Sequence, residues 1–132
     1  VPNILKRKAF TVSMATAKNI KVLDYLGINS GNKVKNKFEK SGLTAVKSEF
    51  VDAPLIAELP LALECQFVSY NEESELMLAE IVNVSADEKT LDKKGNLLIE
   101  KLDVVCYDPA SHGYYALGSR VGNAFSDGKS IV

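Results

Sequence analysis

Ser30 and Gly31, followed closely by three lysines, form the segment of this sequence best suited to bind an anion. The lysines stand at alternate positions, Lys33, Lys35 and Lys37. A hydroxyl group, several ammonium groups and the free backbone N–H groups at a helix start together favour a negatively charged ligand. The segment therefore predicts a phosphate site, for a phosphate that belongs either to a cofactor or to a nucleic acid.

Apolar spacing predicts a helix on each side of this turn. The apolar residues at helical spacing are Ile20, Leu23, Leu26, Val34 and Phe38. They predict helices over residues 17–27 and 33–41, with Thr16 as the N-cap of the first and Gly42 at the end of the second. The lysines would then occupy the polar face of the second helix.

Strands account for most of the remaining sequence. Alternation and apolar runs predict extended segments over 9–15, 44–51, 61–68, 76–84 and 104–107. In the third of these, alternation places Leu63 and Cys65 on the buried face and Glu64 on the other. Leu76–Val84 is apolar on both faces and predicts a central strand, joined to its predecessor by a hairpin loop at Asn71–Ser74. Strands with two inserted helices predict a mainly β, α+β fold, a Greek-key-like antiparallel barrel.

Length and composition exclude several classes of protein. A chain of 132 residues with 46% hydrophobic residues is typical of one soluble domain. No apolar run approaches the ~20 residues of a membrane span, and no secretory signal is present, so a cytoplasmic protein is expected. Two distant cysteines and one histidine do not form a zinc motif. Cys65 is predicted to be a buried thiol.

The net charge of −1 conceals an uneven distribution. Residues 1–50 carry ten basic and three acidic residues, a balance of +7, whereas the remainder carries six basic and fourteen acidic residues, a balance of −8. A basic half fits a nucleic acid, a phosphorylated cofactor, or simply solvated helix faces. The lysines are not interleaved with aromatic residues, as a stacking platform for nucleic acid would require.

The order and spacing of a set of short motifs resemble the flavin reductase-like family, which includes flavoredoxin. The motifs are Phe10-Thr11-Val12-Ser13, Asp24-Tyr25-Leu26-Gly27, Ser30-Gly31, Lys37-Phe38, Gly42-Leu43, Asp52-Ala53-Pro54, Leu63-Glu64-Cys65, Glu80-Ile81, Tyr107-Asp108-Pro109 and Gly113-Tyr114-Tyr115-Ala116-Leu117-Gly118. The resemblance runs from about residue 3 to residue 129 and implies an FMN-binding split β-barrel. Residues 1–132 would then be a single domain that lacks the strands preceding Asn3 in relatives.

The resemblance implies five cofactor-binding residues. Lys37 matches a lysine near the flavin, where an ammonium group would stabilise the anionic reduced ring. Ser30 and Gly31 match the family's turn, although they could simply start the second helix. Ser74 stands where relatives often have histidine, and its hydroxyl can donate to a flavin carbonyl but does not titrate near neutral pH. Tyr107 matches an aromatic position near the ring, or is only a core tyrosine.

The implied activity is electron transfer from NAD(P)H through non-covalently bound FMN to a flavin or another acceptor. Relatives are usually homodimers, and Tyr114 and Tyr115 are interpreted as packing residues at such an interface. His112 is interpreted as a loop residue rather than a catalyst. Two other functions remain open: an FMN-binding electron-transfer module without reductase activity, and a small basic barrel that binds nucleic acid. For the flavin reductase-like function, flavin and nicotinamide are the expected small-molecule partners, and no nucleic acid, membrane or metal is expected to bind.

Overall fold

Antiparallel strand pairs dominate the computed structural model, which describes residues 1–131. The strands are β1 (Ala9–Ser13), β2 (Ala45–Lys47), β3 (Pro54–Ile56), β4 (Leu61–Tyr70), β5 (Met77–Ala86), β6 (Val105–Asp108) and β7 (Gly113–Ala116). The helices are α1 (Pro2–Arg7), α2 (Ile20–Ile28), α3 (Lys37–Ser41) and α4 (Ile99–Leu102). Short 3₁₀ turns cover Ala17–Asn19, Glu88–Thr90 and Asp127–Ser130. The predicted mainly β, α+β class is confirmed.

The largest sheet has the strand order β1-β4-β5. The loop at Asn71–Ser74 connects β4 to β5, as predicted. The prediction that Leu76–Val84 forms a central strand is wrong, because β4 occupies the centre and β5 pairs only with β4 among residues 1–131. Apolar side chains of β5 are consequently exposed, with Leu78 at 52% and Ile81 at 54%.

Burial along β4 does not follow the predicted alternation. The pairing with β5 passes from Glu64–Asn83 to Cys65–Ile81, so the extra residue of this bulge is Val82 on β5, while β4 pairs with β1 in unbroken register. Glu64 is fully buried, and Ala62 and Cys65 are buried beside it. The predicted burial of the Cys65 thiol is confirmed, whereas the expectation that Glu64 lies on the less buried face is wrong.

Two smaller sheets complete the strand pairing. The β2–β3 pair joins Val46 to Leu55, and the β6–β7 hairpin joins Tyr107 to Tyr114. The hydroxyl of Thr11 on β1 donates to the carbonyl of Pro54 at 2.6 Å and so ties the β2–β3 pair to the largest sheet.

Both predicted helices start later than expected. Residues 17–19 form a 3₁₀ turn before α2, and the hydroxyl of Thr16 makes no capping hydrogen bond and is buried without a partner. The helix predicted over 33–41 starts only at Lys37, because Asn36 adopts a left-handed backbone with φ 56°. None of the helices among residues 1–131 has the length and hydrophobicity needed to cross a bilayer.

Candidate functional site

Ser30 organises the turn that follows α2. Its carbonyl accepts hydrogen bonds from the backbone N–H groups of Lys33 and Val34, at 3.0 and 2.9 Å. Its hydroxyl accepts from the N–H of Asn32 at 3.3 Å. Ser30 therefore belongs to the turn, as predicted. The alternative that Ser30 and Gly31 start the second helix is wrong, because α3 begins only at Lys37.

Lys37 and Gly31 share a cavity of about 560 Å³ between α2 and α3. Its other lining residues are Leu26, Val34, Asn36, Phe38 and Glu39. Lys37 is half-buried, whereas Lys33 and Lys35 are exposed, which separates Lys37 from the solvated lysines of the same segment. A side chain built at Gly31 would meet no atom within 4 Å, so the backbone is unobstructed at this position.

A second basic cavity, also of about 560 Å³, lies on another part of α2 and α3. Three exposed lysines, Lys18, Lys21 and Lys40, line it together with Asn19, Val22, Tyr25 and Ser41. This cavity was not predicted from the sequence, because its lysines come from the two ends of a 23-residue stretch that only the packing of α2 on α3 brings together.

Ser74 lies in the β4–β5 loop, where its contacts are local. Its backbone N–H and its hydroxyl both donate to Oδ1 of Asn71, at 2.8 and 3.0 Å. Ser74 is exposed and its recorded hydrogen bonds do not connect it to Lys37, Gly31 or Tyr107. Its predicted contact with a flavin carbonyl stays a prediction.

Tyr107 lies in a cluster of polar aromatic residues at the β6–β7 hairpin. Its hydroxyl is 2.9 Å from Nδ1 of His112, and its ring lies 5.4 Å from that of Tyr114 at an angle of 48°. The hydroxyl of Tyr114 donates to Oδ1 of Asp24 at 2.7 Å, which links the hairpin to α2. The hydrogen bond to Asp24, with burial and charge repulsion acting in the same direction, raises the pKa of Tyr114.

The structure brings Lys37 together with Gly31 but places Tyr107 in a different cavity. Asp24 and Gly27 line the Tyr107 cavity and lie one turn apart on α2, whereas Leu26 lines the Lys37 cavity. At 100° per residue, position 26 lies about 200° around the helix from position 24. The two cavities therefore open on different faces of α2.

A buried carboxylate that the sequence analysis did not identify lies inside the β4–β5 pair. Asn83 Nδ2 donates to Oε1 of Glu64 at 2.7 Å, Ser85 donates to the same oxygen at 2.5 Å, and Ser48 donates to Oε2. Burial opposes the ionisation of Glu64, but these three hydrogen bonds together outweigh it and keep the pKa below its ordinary value. The sequence signal that could have indicated this buried carboxylate is an acidic residue between Leu63 and Cys65 in an otherwise apolar run.

Antiparallel strand pairs, with α2 and α3 inserted between β1 and β2, place the chain in the class of mainly β, α+β domains. The sequence model of the family described as "Flavin reductase like domain" matches residues 1–103. The chain belongs to this family and has its split-barrel fold.

Similar proteins agree with this membership. An uncharacterised protein of Aquifex aeolicus (strain VF5) is 31% identical over 103 residues, which are 76% of this chain and 52% of that protein. The solved flavoredoxin of Desulfovibrio vulgaris (Miyazaki F) is 38% identical, with a TM-score of 0.89 over 96% of this chain and 68% of its own. A flavoredoxin from Methanosarcina acetivorans is 30% identical, with a TM-score of 0.85 over 98% of this chain and 68% of its own. The chain thus spans about half the length of the curated relative it matches.

Proposed function

We propose that this chain binds FMN and passes electrons from NAD(P)H to a flavin or another acceptor. The observation that carries the proposal is the pairing of half-buried Lys37 with open Gly31 in one cavity of a flavin reductase-like chain. Residues 1–132 would act as a single domain of this family. The activity and partners of any longer protein containing this chain are part of the same proposal.

The residues around Lys37 fit a flavin nucleotide. An ammonium group and the Asn36 amide supply donors for a phosphate or a ring carbonyl, and Leu26, Val34 and Phe38 supply an apolar wall. A volume of about 560 Å³ lies within the range of small-molecule sites. The open position at Gly31 allows the backbone to approach a ligand, as glycine does at phosphate sites.

Each predicted contact has a separate role. When bound, FMN would supply the hydride and electron chemistry. Lys37 would place a positive charge where negative charge develops on reduction, while Ser30 fixes the turn and Gly31 admits the ligand. Ser74 and Tyr107 remain proposed flavin contacts of the hairpin loop and of the β6–β7 hairpin.

The experiment is a titration of the purified chain with FMN and with FAD, followed by flavin absorbance and fluorescence. Saturable binding of FMN supports the proposal, and tight binding of FAD with none of FMN would show that the phosphate is wrongly placed. Lys37→Met and Lys40→Met distinguish the two basic cavities, with Lys101→Met on α4 as a matched control. Loss of affinity in Lys40→Met alone would move the flavin to the second cavity.

A flavin-binding electron-transfer module is the second candidate, favoured by the 38% identity to a flavoredoxin. Anaerobic mixing of the FMN-loaded chain with NADH or NADPH separates the two candidates. Rapid bleaching of the flavin supports the reductase. Stable FMN binding with negligible reduction by either nicotinamide supports the module.

A homodimer in the cytoplasm is the remaining part of the proposal, with small molecules rather than nucleic acid or membranes as ligands. The exposed apolar side chains of β4 and β5 support self-association: Val68, Leu78, Ile81 and Val84 are exposed by 61%, 52%, 54% and 54%. Light scattering at micromolar concentration tests the proposed homodimer, and a well-folded monomer at that concentration would contradict it. A salt-dependent gel shift would instead favour nucleic acid.

A further inference from the structure

The cavity between α2 and the β6–β7 hairpin combines aromatic rings with a carboxylate. Its volume is about 470 Å³, and its lining residues are Asp24, Gly27, Ile28, Tyr107, His112 and Tyr114. Neither lysine nor arginine is among these lining residues, although residues 1–50 carry nine lysines and one arginine. The local charge is therefore opposite to that of the cavity lined by Lys18, Lys21 and Lys40.

The two tyrosine rings are held in place by hydrogen bonds at their hydroxyl ends. The Tyr114 hydroxyl donates to Asp24 at 2.7 Å, and the Tyr107 hydroxyl lies 2.9 Å from Nδ1 of His112. The rings are 5.4 Å apart at an angle of 48°. Tyr107 and Tyr114 remain 53% and 44% exposed, so ring surface is available to a ligand.

Asp24 forms no ion pair within the described part of the chain. Within residues 1–131, its carboxylate has no lysine, arginine or histidine nitrogen within 4.0 Å, and its hydrogen-bond partner is the neutral hydroxyl of Tyr114. A carboxylate attracts a positive charge, and the faces of aromatic rings attract it too. Ile28, which is 74% exposed, adds apolar surface for the alkyl groups of a ligand.

We propose that this cavity binds a small organic cation of the alkylammonium class. Asp24 supplies the counter-charge, and the faces of Tyr107 and Tyr114 contact the cationic head group. His112 holds the Tyr107 ring through its hydrogen bond and is a positioning residue. The cavity opens on a different face of α2 from the Lys37 cavity, so the proposal does not use Lys37. Tyr107 is also a proposed flavin contact, and competition between FMN and choline decides between its two roles.

Choline and its neutral isostere 3,3-dimethylbutan-1-ol provide a matched pair of probes. They have the same shape and differ in charge, so the comparison isolates the contribution of Asp24 and the rings. Binding is followed by NMR shifts of the tyrosine ring protons in the full chain at low ionic strength. Saturable shifts with choline, and binding of the neutral probe weaker by about fivefold or more, are expected.

Substitutions assign the binding to the proposed residues. Asp24→Asn and Tyr107→Leu are each expected to weaken choline binding about fivefold or more, whereas Asp24→Glu retains the charge and most of the affinity. Glu72→Gln, in the exposed β4–β5 loop, is the control and leaves binding unchanged. If Asp24→Asn does not fold by circular dichroism, Tyr107→Leu and the comparison of the two probes decide the proposal.

Three results would overturn the proposal. Equal binding of choline and the neutral probe would show that charge is not recognised. An unchanged choline Kd in folded Asp24→Asn or Tyr107→Leu would place the binding elsewhere. Competitive displacement of choline from the tyrosine rings by FMN would assign the cavity to the flavin instead.

Discussion

Asn83 on β5 lies directly opposite Glu64 on β4, and its Nδ2 donates to the buried carboxylate at 2.7 Å. The same carboxylate also accepts hydrogen bonds from the hydroxyl of Ser85 on β5 and from the hydroxyl of Ser48 in the segment after β2. The Ser48 hydroxyl also accepts from the N–H groups of Phe50 and Val51, both at 3.0 Å. One charge therefore connects three parts of the chain whose backbones are distant in sequence.

Glu64→Gln is expected to destabilise the fold by about 2 kcal/mol. Hydrogen bonds to a charged, fully buried acceptor contribute more to stability than hydrogen bonds between neutral groups. The glutamine amide also has N–H donors, which would face the donor groups that now bind the carboxylate. Urea unfolding followed by circular dichroism measures the loss. Glu73→Gln in the exposed β4–β5 loop is the matched control. An unchanged free energy of unfolding in Glu64→Gln would mean that the carboxylate is not held as described.

The contribution of Glu64 to stability depends on pH in one direction. Its pKa is lowered in the folded state, so the stabilisation is fully present above the unfolded pKa of ~4.3 and is lost as the pH falls through the folded pKa. The difference in unfolding free energy between the native chain and Glu64→Gln should therefore be constant from pH 7 to about 5 and shrink below pH 4. A difference that grows on acidification would contradict the lowered pKa.

Three elements with a local signal were predicted. The extended run of β4, the turn residues of the β4–β5 loop and the helical spacing in α2 all depend on near neighbours, although the buried face of β4 was not predicted correctly. The position of β5 at a sheet edge and the burial of Glu64 depend on pairing register, which a single sequence does not encode locally. The late start of α3 depends on the left-handed backbone of Asn36. Because asparagine also occurs within helices, its presence in the sequence does not by itself mark the start of α3.

The candidate site was predicted only in part for the same reason. Gly31 and Lys37 are six positions apart, so the turn that brings them to one cavity is a local feature. The contacts of Tyr107 with His112 are also local, but its link to Asp24 through Tyr114 spans 90 positions and requires the tertiary fold. The cavity in which Tyr107 lies therefore could not be predicted from the local sequence.

Lys37→Met is expected to lower the midpoint potential of bound FMN by some tens of millivolts. A charge ~4–5 Å from the reduced ring at an effective dielectric near 20 gives ~3–4 kcal/mol, of which solvent leaves about a third. About 1 kcal/mol corresponds to ~20 mV for a two-electron couple. Lys37→Arg should keep most of the potential. A spectroscopic redox titration measures the midpoint potential. An unchanged midpoint potential in Lys37→Met would mean that the Lys37 ammonium group does not lie near the flavin ring.

Gly31→Ala is expected to keep the fold but weaken FMN binding. Its backbone is not left-handed and a new Cβ meets nothing within 4 Å, so the unfolding free energy should stay within about 0.5 kcal/mol. Gly95→Ala is the converse control: with φ at +82° it should lose about 1 kcal/mol of stability without affecting FMN. Titration and urea unfolding of both variants check this. Unchanged FMN affinity in Gly31→Ala would remove Gly31 from the site.

The two thiols should differ sharply in reactivity towards a disulfide reagent such as DTNB. Cys106 is exposed, whereas Cys65 is 4% exposed and burial raises its pKa, which lowers the fraction of reactive thiolate. At pH 8 in the folded chain, one thiol should react in a fast phase and the second only on opening or unfolding. Cys106→Ser should remove the fast phase, and urea should make Cys65 react. Two fast thiols in the native chain would contradict the buried position of Cys65 in β4.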